Sequence, residues 1–278
     1  MSRTVAQDGV GVHTGAMVRV ELRPAAENTG VVFCREDLPG ASVIPATLEH
    51  LRHSRLATTL GLGASGPVVA TVEHLLAALW ARGVHNVEVG VWGSELPALD
   101  GSAAPWIDAI EGAGTVEQSV ALAPLVVLEP VEVRIDDRWA RVVPAPVLSL
   151  CVEIEFAHAL IGRQRLDLVL ENGTFESELA WARTFGFLEE VEALQAQGFA
   201  CGGSLENAVV YGAEGVLNSE GLRSPDEAVR HKALDLLGDL ALLGRPVVGR
   251  VETERPGHVL NLALARALLQ RARDWDER

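Results

Sequence analysis

The stretch 224–240 reads S-P-D-E-A-V-R-H-K-A-L-D-L-L-G-D-L, which spaces His231, Asp235 and Asp239 four residues apart. On a helix that spacing projects the three side chains from one face, each a turn above the last. Two ligands at i and i+4 on a rigid helix make half of a zinc site. The same spacing also makes an exposed His–Asp ion pair, and this segment alone leaves both readings open. A second segment, Thr71-Val72-Glu73-His74, sets a carboxylate beside an imidazole in the first turn of another helix. Glu49-His50 repeats that dipeptide, so Glu73-His74 gains meaning only in combination. Taken together, His74, His231 and Asp235 offer two imidazoles and one carboxylate. A catalytic zinc keeps three protein ligands and an open position, whereas structural sites close with four and favour cysteine. The same donor set also suits iron(II). Glu73 is then a neighbouring carboxylate available as a base, and His258, just ahead of the last helix, is a candidate proton donor.

Composition adds one further residue. The chain has 22 arginines and a single lysine, Lys232, next to His231. An ammonium is a compact point charge that a wide, planar guanidinium does not replace at a crowded site. Chance placement of that one lysine is the competing reading.

The elements that carry these residues are marked by periodicity and punctuation. Alternation typical of half-buried strands runs through Met17–Arg23, Asn86–Trp92, Leu148–Phe156 and Arg165–Leu170, and it favours antiparallel sheets with one covered face. Thr71 is expected to cap a helix that reaches about Arg82 and ends at Gly83. A second helix is expected over roughly Phe187–Gln197, closed by Gly198. A third starts at Ser224, with Pro225 in its first turn and Glu227 completing a capping box, and stops at Gly244. The last follows Pro256-Gly257-His258 and runs through about Arg273. Asn172-Gly173 reads as a hairpin turn between two strand-like runs. The glycine-rich Gly9–Gly15 misses dinucleotide spacing, follows no expected strand and reads as a plain turn. Strands then a helix, followed by strands then helices, predicts two α+β halves, 1–118 and 119–278, joined near Gly112–Pro124.

Other classes fall away on composition and motif. Of the 278 residues, 48% are apolar and 22% charged, which is globular composition with ample material for a core. The 23 basic against 38 acidic residues leave a formal charge of −15, the wrong sign for non-specific nucleic-acid binding. Three widely spaced cysteines form neither a disulfide framework nor a cysteine zinc site, and they fit a reducing compartment. The first residues lack an apolar core of signal-peptide length, and no run approaches the ~20 apolar residues of a membrane span. The expected location is the cytoplasm. A G-x-S-x-G elbow, a P-loop and an H-E-x-x-H pair are all absent from the sequence.

The motifs GVGVHTG (Gly9–Gly15), TVEHLLAAL (Thr71–Leu79), ELPALDGSAAP (Glu95–Pro105), ARTFGF (Ala182–Phe187), GGSLENAVV (Gly202–Val210), LNSEGLRSPDEAVRHKALDLLGDLALLG (Leu217–Gly244) and GHVLNLALARAL (Gly257–Leu268) occur in order across nearly the whole chain. Through them the chain resembles the UDP-3-O-acyl-N-acetylglucosamine deacetylases, zinc amidases of lipid A biosynthesis. The resemblance implies an α+β fold of two domains of similar topology, each a β-sheet with two helices, the helices sandwiched between the two sheets. It implies that His74, His231 and Asp235 hold zinc and that Glu73 is the general base. His258 becomes the general acid, oriented by Asp239, while Thr184 places a hydroxyl near the oxyanion and Lys232 stabilises charge on the substrate. Phe185 packs on the sugar. An insert in the second domain, here roughly Phe187–Phe199, forms a passage for the fatty acyl chain; Phe187, Val191 and Leu194 share one helical stripe, which equally suits ordinary core. The implied reaction frees acetate from UDP-3-O-(3-hydroxyacyl)-N-acetylglucosamine. The expected partner is that nucleotide-sugar lipid alone, bound by a monomer with no nucleic acid and no stable membrane insertion. Two departures stand out. Only eight residues precede Gly9, so the first strand is expected to be short or the start to lie upstream, and Ala157-His158-Ala159 replaces a different polar pattern.

Overall fold

The alternating segments assemble into two five-stranded sheets in a computed structural model that describes residues 1–40 and 42–276. The first sheet has the order Val5–Val10, Met17–Pro24, Val87–Trp92, Val31–Arg35, Ser42–Pro45. Alternation sets its sidedness: Val18, Val20 and Leu22 point into the core, while Arg19 and Glu21 pair on the opposite face. The second sheet has the order Val131–Ile135, Arg138–Val143, Arg250–Glu254, Ser149–Glu155, Arg163–Val169. Each sheet holds one parallel pair where the alternation suggested only antiparallel ones: Val31–Arg35 with Val87–Trp92, and Ser149–Glu155 with Arg250–Glu254. In both cases the chain leaves the sheet, forms helix, and returns alongside, which is the crossover that parallel pairing requires.

Among the described residues the helices are α1 (Glu73–Ala81), α2 (Ala104–Ala113), α3 (Thr174–Glu178), α4 (Leu188–Gln195), α5 (Glu227–Leu240) and α6 (His258–Asp276). α1 packs on α5 and α2, α2 covers the strand Val5–Val10, and α5 and α6 cover the second sheet. The helices therefore lie between the sheets, and one apolar core runs from Val20 and Leu22 through Leu75 and Leu236 to Val142 and Leu150. This is the α+β arrangement expected. None of the helices is long and apolar enough to cross a membrane.

Local details correct the sequence reading. Thr71 does not cap α1; it adopts φ 57° two residues ahead of Glu73, and its hydroxyl donates to the buried Glu95 carboxylate at 3.1 Å. The capping box at Ser224 does not form either, because Ser224 turns its hydroxyl to Asp226 and Glu227 is taken by the Arg183 guanidinium at 2.8 Å. Asn172-Gly173 is no hairpin: Gly173, at φ 83°, leads from the strand Arg163–Val169 into α3. Phe187 ends a strand, Phe185–Phe187, rather than starting the helix that follows. The strand Val5–Val10 runs into the glycine-rich turn, where periodicity marked no strand and the resemblance implied a short first strand or an upstream start. α2 and α3 were not placed from the sequence.

One glycine governs how the helices meet. A Cβ added at Gly238 would lie 2.1 Å from the carbonyl oxygen of Glu73, so α5 touches the start of α1 backbone to backbone. Glycine to alanine inside a helix ordinarily stabilises it by about 1 kcal/mol. Here Gly238→Ala is expected to lower stability instead, by about 1–3 kcal/mol, since neither backbone can yield without repacking the core. Chemical denaturation measures it, and an alanine variant as stable as the parent would refute the tight crossing.

Candidate active site

The crossing of α1 and α5 brings together residues 157 or more positions apart. One ligand atom each from His74, His231 and Asp235 lies within 4.8 Å of the others, and all three residues are buried. The Nε2 atoms of His74 and His231 stand 3.5 Å and 3.3 Å from Asp235 Oδ1. His231 donates its Nδ1–H to the Ala182 carbonyl at 3.1 Å, which fixes the ring and leaves Nε2 as the free lone pair. Burial pushes the His231 pKa down to about 3, so the ring is neutral, the form that binds metal. Burial opposes ionisation of Asp235, yet the His231 ring and the Lys232 ammonium hold it well below the usual carboxylate range. Lys232 Nζ donates to Asp235 Oδ2 at 2.6 Å. The other oxygen, Oδ1, is buried and accepts no hydrogen bond among the described residues. A buried, unpartnered carboxylate oxygen facing two imidazole lone pairs is costly unless a cation completes it. The donor set fits a first-row divalent ion.

A second polar cluster adjoins the first. Glu73, on α1 beside His74, is buried; its Oε2 accepts the Thr58 backbone N–H at 3.0 Å and its Oε1 stands 3.7 Å from His258 Nε2. Burial raises the Glu73 pKa, with His258 and His74 pulling the other way. His258, the first residue of α6, meets Asp239 Oδ2 through Nδ1 at 2.9 Å. Burial works against charge on His258, but Asp239 and Glu73 outweigh it and push its pKa up to about 10. A protonated imidazole thus faces a buried carboxylate of raised pKa, the pairing that separates an acid from a base.

Glu73, His74, His231, Lys232, Asp235 and His258 line a single cavity with Thr184, Phe185, Phe187, Val191 and Leu194, and Asp239 lies buried behind His258. Thr184 is held by backbone bonds to Gly101 and Val209 at 2.7 Å and 2.8 Å. The Phe185 ring lies 5.4 Å from Lys232 Nζ. None of the α4 residues is buried, so its apolar stripe faces the cavity rather than the core. Every site residue named from the sequence except Asp239 thus lines this cavity, and Asp239 reaches it through His258.

Three neighbours, Glu95, Thr58 and Asn261, were not named. Glu95, fully buried, accepts the backbone N–H groups of His13 and Thr14 at 2.8 Å each, as well as the hydroxyls of Thr14 and Thr71. It makes the glycine-rich turn more than a plain turn, for Val12 and His13 line the cavity, and a Cβ at Gly11 would meet Glu95 Oε2 at 2.3 Å. Thr58 and Asn261 both donate to Asp239, at 2.5 Å and 2.8 Å. Asn261, one helical turn beyond His258, was within reach of a spacing argument. Thr58, in the unremarkable LATTL, carried no signal.

Residues 1–270 match the family profile described as UDP-3-O-acyl N-acetylglycosamine deacetylase. A protein of Phenylobacterium zucineum named UDP-3-O-acyl-N-acetylglucosamine deacetylase is 50% identical over 268 residues, 96% of this chain and 91% of that one. Proteins of the same name from Myxococcus xanthus and Thermosynechococcus vestitus are each 45% identical, over 97% of this chain and 85% and 93% of their own lengths. These matches, which span nearly the whole chain, make it a member of the UDP-3-O-acyl N-acetylglycosamine deacetylase family.

Proposed function

We propose that this protein hydrolyses the N-acetyl group of UDP-3-O-(3-hydroxyacyl)-N-acetylglucosamine, giving acetate and UDP-3-O-acyl-glucosamine at an early committed step of lipid A biosynthesis. The observation that carries the reading is the unbonded Asp235 Oδ1 between two histidine Nε2 atoms, with the Glu73–His258 pair beside it. Zinc is the ion proposed for His74, His231 and Asp235, with iron(II) suited to the same donors. Such an ion supplies a Lewis acid for the amide carbonyl and makes water acidic enough to attack near neutral pH.

The protein's own groups do the rest. Glu73, its pKa raised by burial, takes the proton of the attacking water. Lys232 and Thr184 line the cavity where the carbonyl oxygen gains charge, and pre-placed donors there lower the barrier without reorganising. His258, protonated, gives its Nε2 proton to the departing amine, while Asp239 steadies the ring from Nδ1. Phe185 packs on the sugar, and Phe187, Val191 and Leu194 receive the acyl chain. The division proposed is 1–118 and 119–278, the second part holding the acyl insert near Phe187–Phe199. A cytoplasmic monomer with no stable membrane insertion and no nucleic-acid partner completes the proposal. Acetate release from the acylated UDP-sugar, before and after chelation and with metal restored, tests it; release unaffected by chelation would overturn it.

Four substitutions probe the parts. His231→Ala is expected to lose bound metal in stoichiometric analysis while keeping its circular-dichroism spectrum; wild-type metal content would remove His231 from the site. For the acid–base pair, losses from Glu73→Gln and His258→Gln should combine to far less than their product, because both serve one proton-transfer sequence. The wild-type rate should fall as pH rises through the His258 pKa, since the acid must be protonated, and His258→Gln should lack that alkaline limb. Independent, fully multiplicative losses would defeat the role assignment. Lys232→Arg keeps charge and helix propensity, so stability should change by less than ~1 kcal/mol. A guanidinium can still pair with Asp235, but its wider, planar group does not offer the cavity the compact charge that Lys232 Nζ does while donating to Asp235 Oδ2. Catalytic efficiency should therefore drop at least ~10-fold, about 1.4 kcal/mol of transition-state stabilisation. Steady-state kinetics and a melt on one sample decide it, and an Arg variant of full activity would make the lone lysine an accident of composition.

A further inference from the structure

Thr58 lies at the meeting point of α1, α5 and α6, fully buried, and every polar group it has is used on the site. Its backbone N–H donates to Glu73 Oε2 at 3.0 Å, and its carbonyl accepts the Val72 N–H at the start of α1 at 3.4 Å. Its hydroxyl donates to Asp239 Oδ1 at 2.5 Å. The same hydroxyl oxygen stands 3.3 Å from His258 Nδ1. One residue from an extended segment of the first half thus touches the base, the ring that serves as acid, and the carboxylate behind that ring.

The division of Asp239 between its donors shows what the hydroxyl does. Oδ1 takes Thr58, and Oδ2 takes both His258 and Asn261. With Oδ1 occupied, the carboxylate cannot turn to offer that oxygen to His258, so the ring has one anchored position. Because the hydroxyl proton is committed to Asp239, its oxygen lone pair faces His258 Nδ1, which then has two acceptors and keeps its own proton. That leaves Nε2 as the nitrogen that faces Glu73 and exchanges a proton.

We propose that Thr58 is a positioning residue that ties Glu73 to the Asp239–His258 pair and fixes the rotamer and tautomer of His258 from behind. This rests on the reading of Glu73 as base and His258 as acid. It acts through those groups and touches no reacting atom.

Thr58→Val removes the hydroxyl while keeping the β-branched shape and the backbone N–H to Glu73; Thr58→Ser restores the hydroxyl without the methyl. The valine variant is expected to lose at least ~10-fold in kcat, a modest part of what a placed acid contributes. Its KM and metal content should stay within about twofold of wild type, because the hydroxyl meets neither substrate nor ligand. The serine variant should recover to within about threefold. In a His258→Gln background the valine change should cost nothing further, since it works through the ring. A valine variant of full kcat, a serine variant as impaired as valine, or an undiminished valine effect without His258 would each overturn the proposal. Thr58→Ala against Thr58→Ser makes the same comparison if the valine variant does not fold. Glu73→Gln and His258→Gln run in the same assay separate the two levels. If those retain full acetate release, the acid–base reading itself is wrong, whereas their inactivity beside an active valine variant removes Thr58 alone.

Discussion

The approach of α5 to the first turn of α1, backbone against backbone at Gly238 and Glu73, is the constraint on which the rest of the molecule depends. Any side chain at that point would hold the helices apart by at least the width of a methyl group. The face of α5 that carries His231, Asp235 and Asp239 is thereby pressed against Glu73 and His74, and α6 closes over it with His258. Both sheets are arranged to hold that crossing. Each covers one side of the helical layer, and the parallel strand in each is the return of a chain that has just supplied a site-bearing helix.

Such a crossing concentrates charge where water cannot reach it. Glu73, Asp235 and Asp239 are all buried, and isolated carboxylates there would be prohibitively unfavourable. The arrangement handles each differently. Asp235 is matched by Lys232 on one oxygen and left open on the other. Asp239 is satisfied by three donors. Glu73 keeps one backbone donor and a pKa raised by burial. The histidines divide in the same way: burial keeps His231 neutral, while two carboxylates keep His258 charged. Identical side chains take different jobs because their immediate neighbours differ.

The second half adds a rigid frame and a soft edge. Arg183 and Glu227, both nearly inaccessible to water, clasp each other and fix the segment 182–184. That segment presents the Ala182 carbonyl to His231 and Thr184 to the cavity. By contrast α4 buries none of its residues, so its apolar stripe stays uncovered along the cavity. Packing for precision and leaving apolar surface uncovered are opposite demands, and the chain meets them on adjacent elements.

What the sequence by itself determined were the features encoded at short range. Four-residue spacing put His231, Asp235 and Asp239 on one face, alternation set which strand residues face the core, and a composition with a single lysine drew the eye to Lys232. Family resemblance supplied Thr184 and the aromatic residues, which no spacing rule singles out. Caps were misread at Thr71 and Ser224 because a long-range partner outbid the local one, Glu95 for Thr71 and Arg183 for Glu227, while the turn at Asn172-Gly173 leads into α3 and not into a second strand. Only the tertiary structure decided the rest. Thr58 meets Asp239 across 181 positions of chain, and the Glu95 carboxylate reaches His13 across 82. Such contacts leave no periodic trace, because they follow from how layers stack and not from how a helix or strand repeats. The same holds for the charge states of His231 and His258. They are set by burial and by carboxylates on other elements, quantities that exist only once the chain has folded.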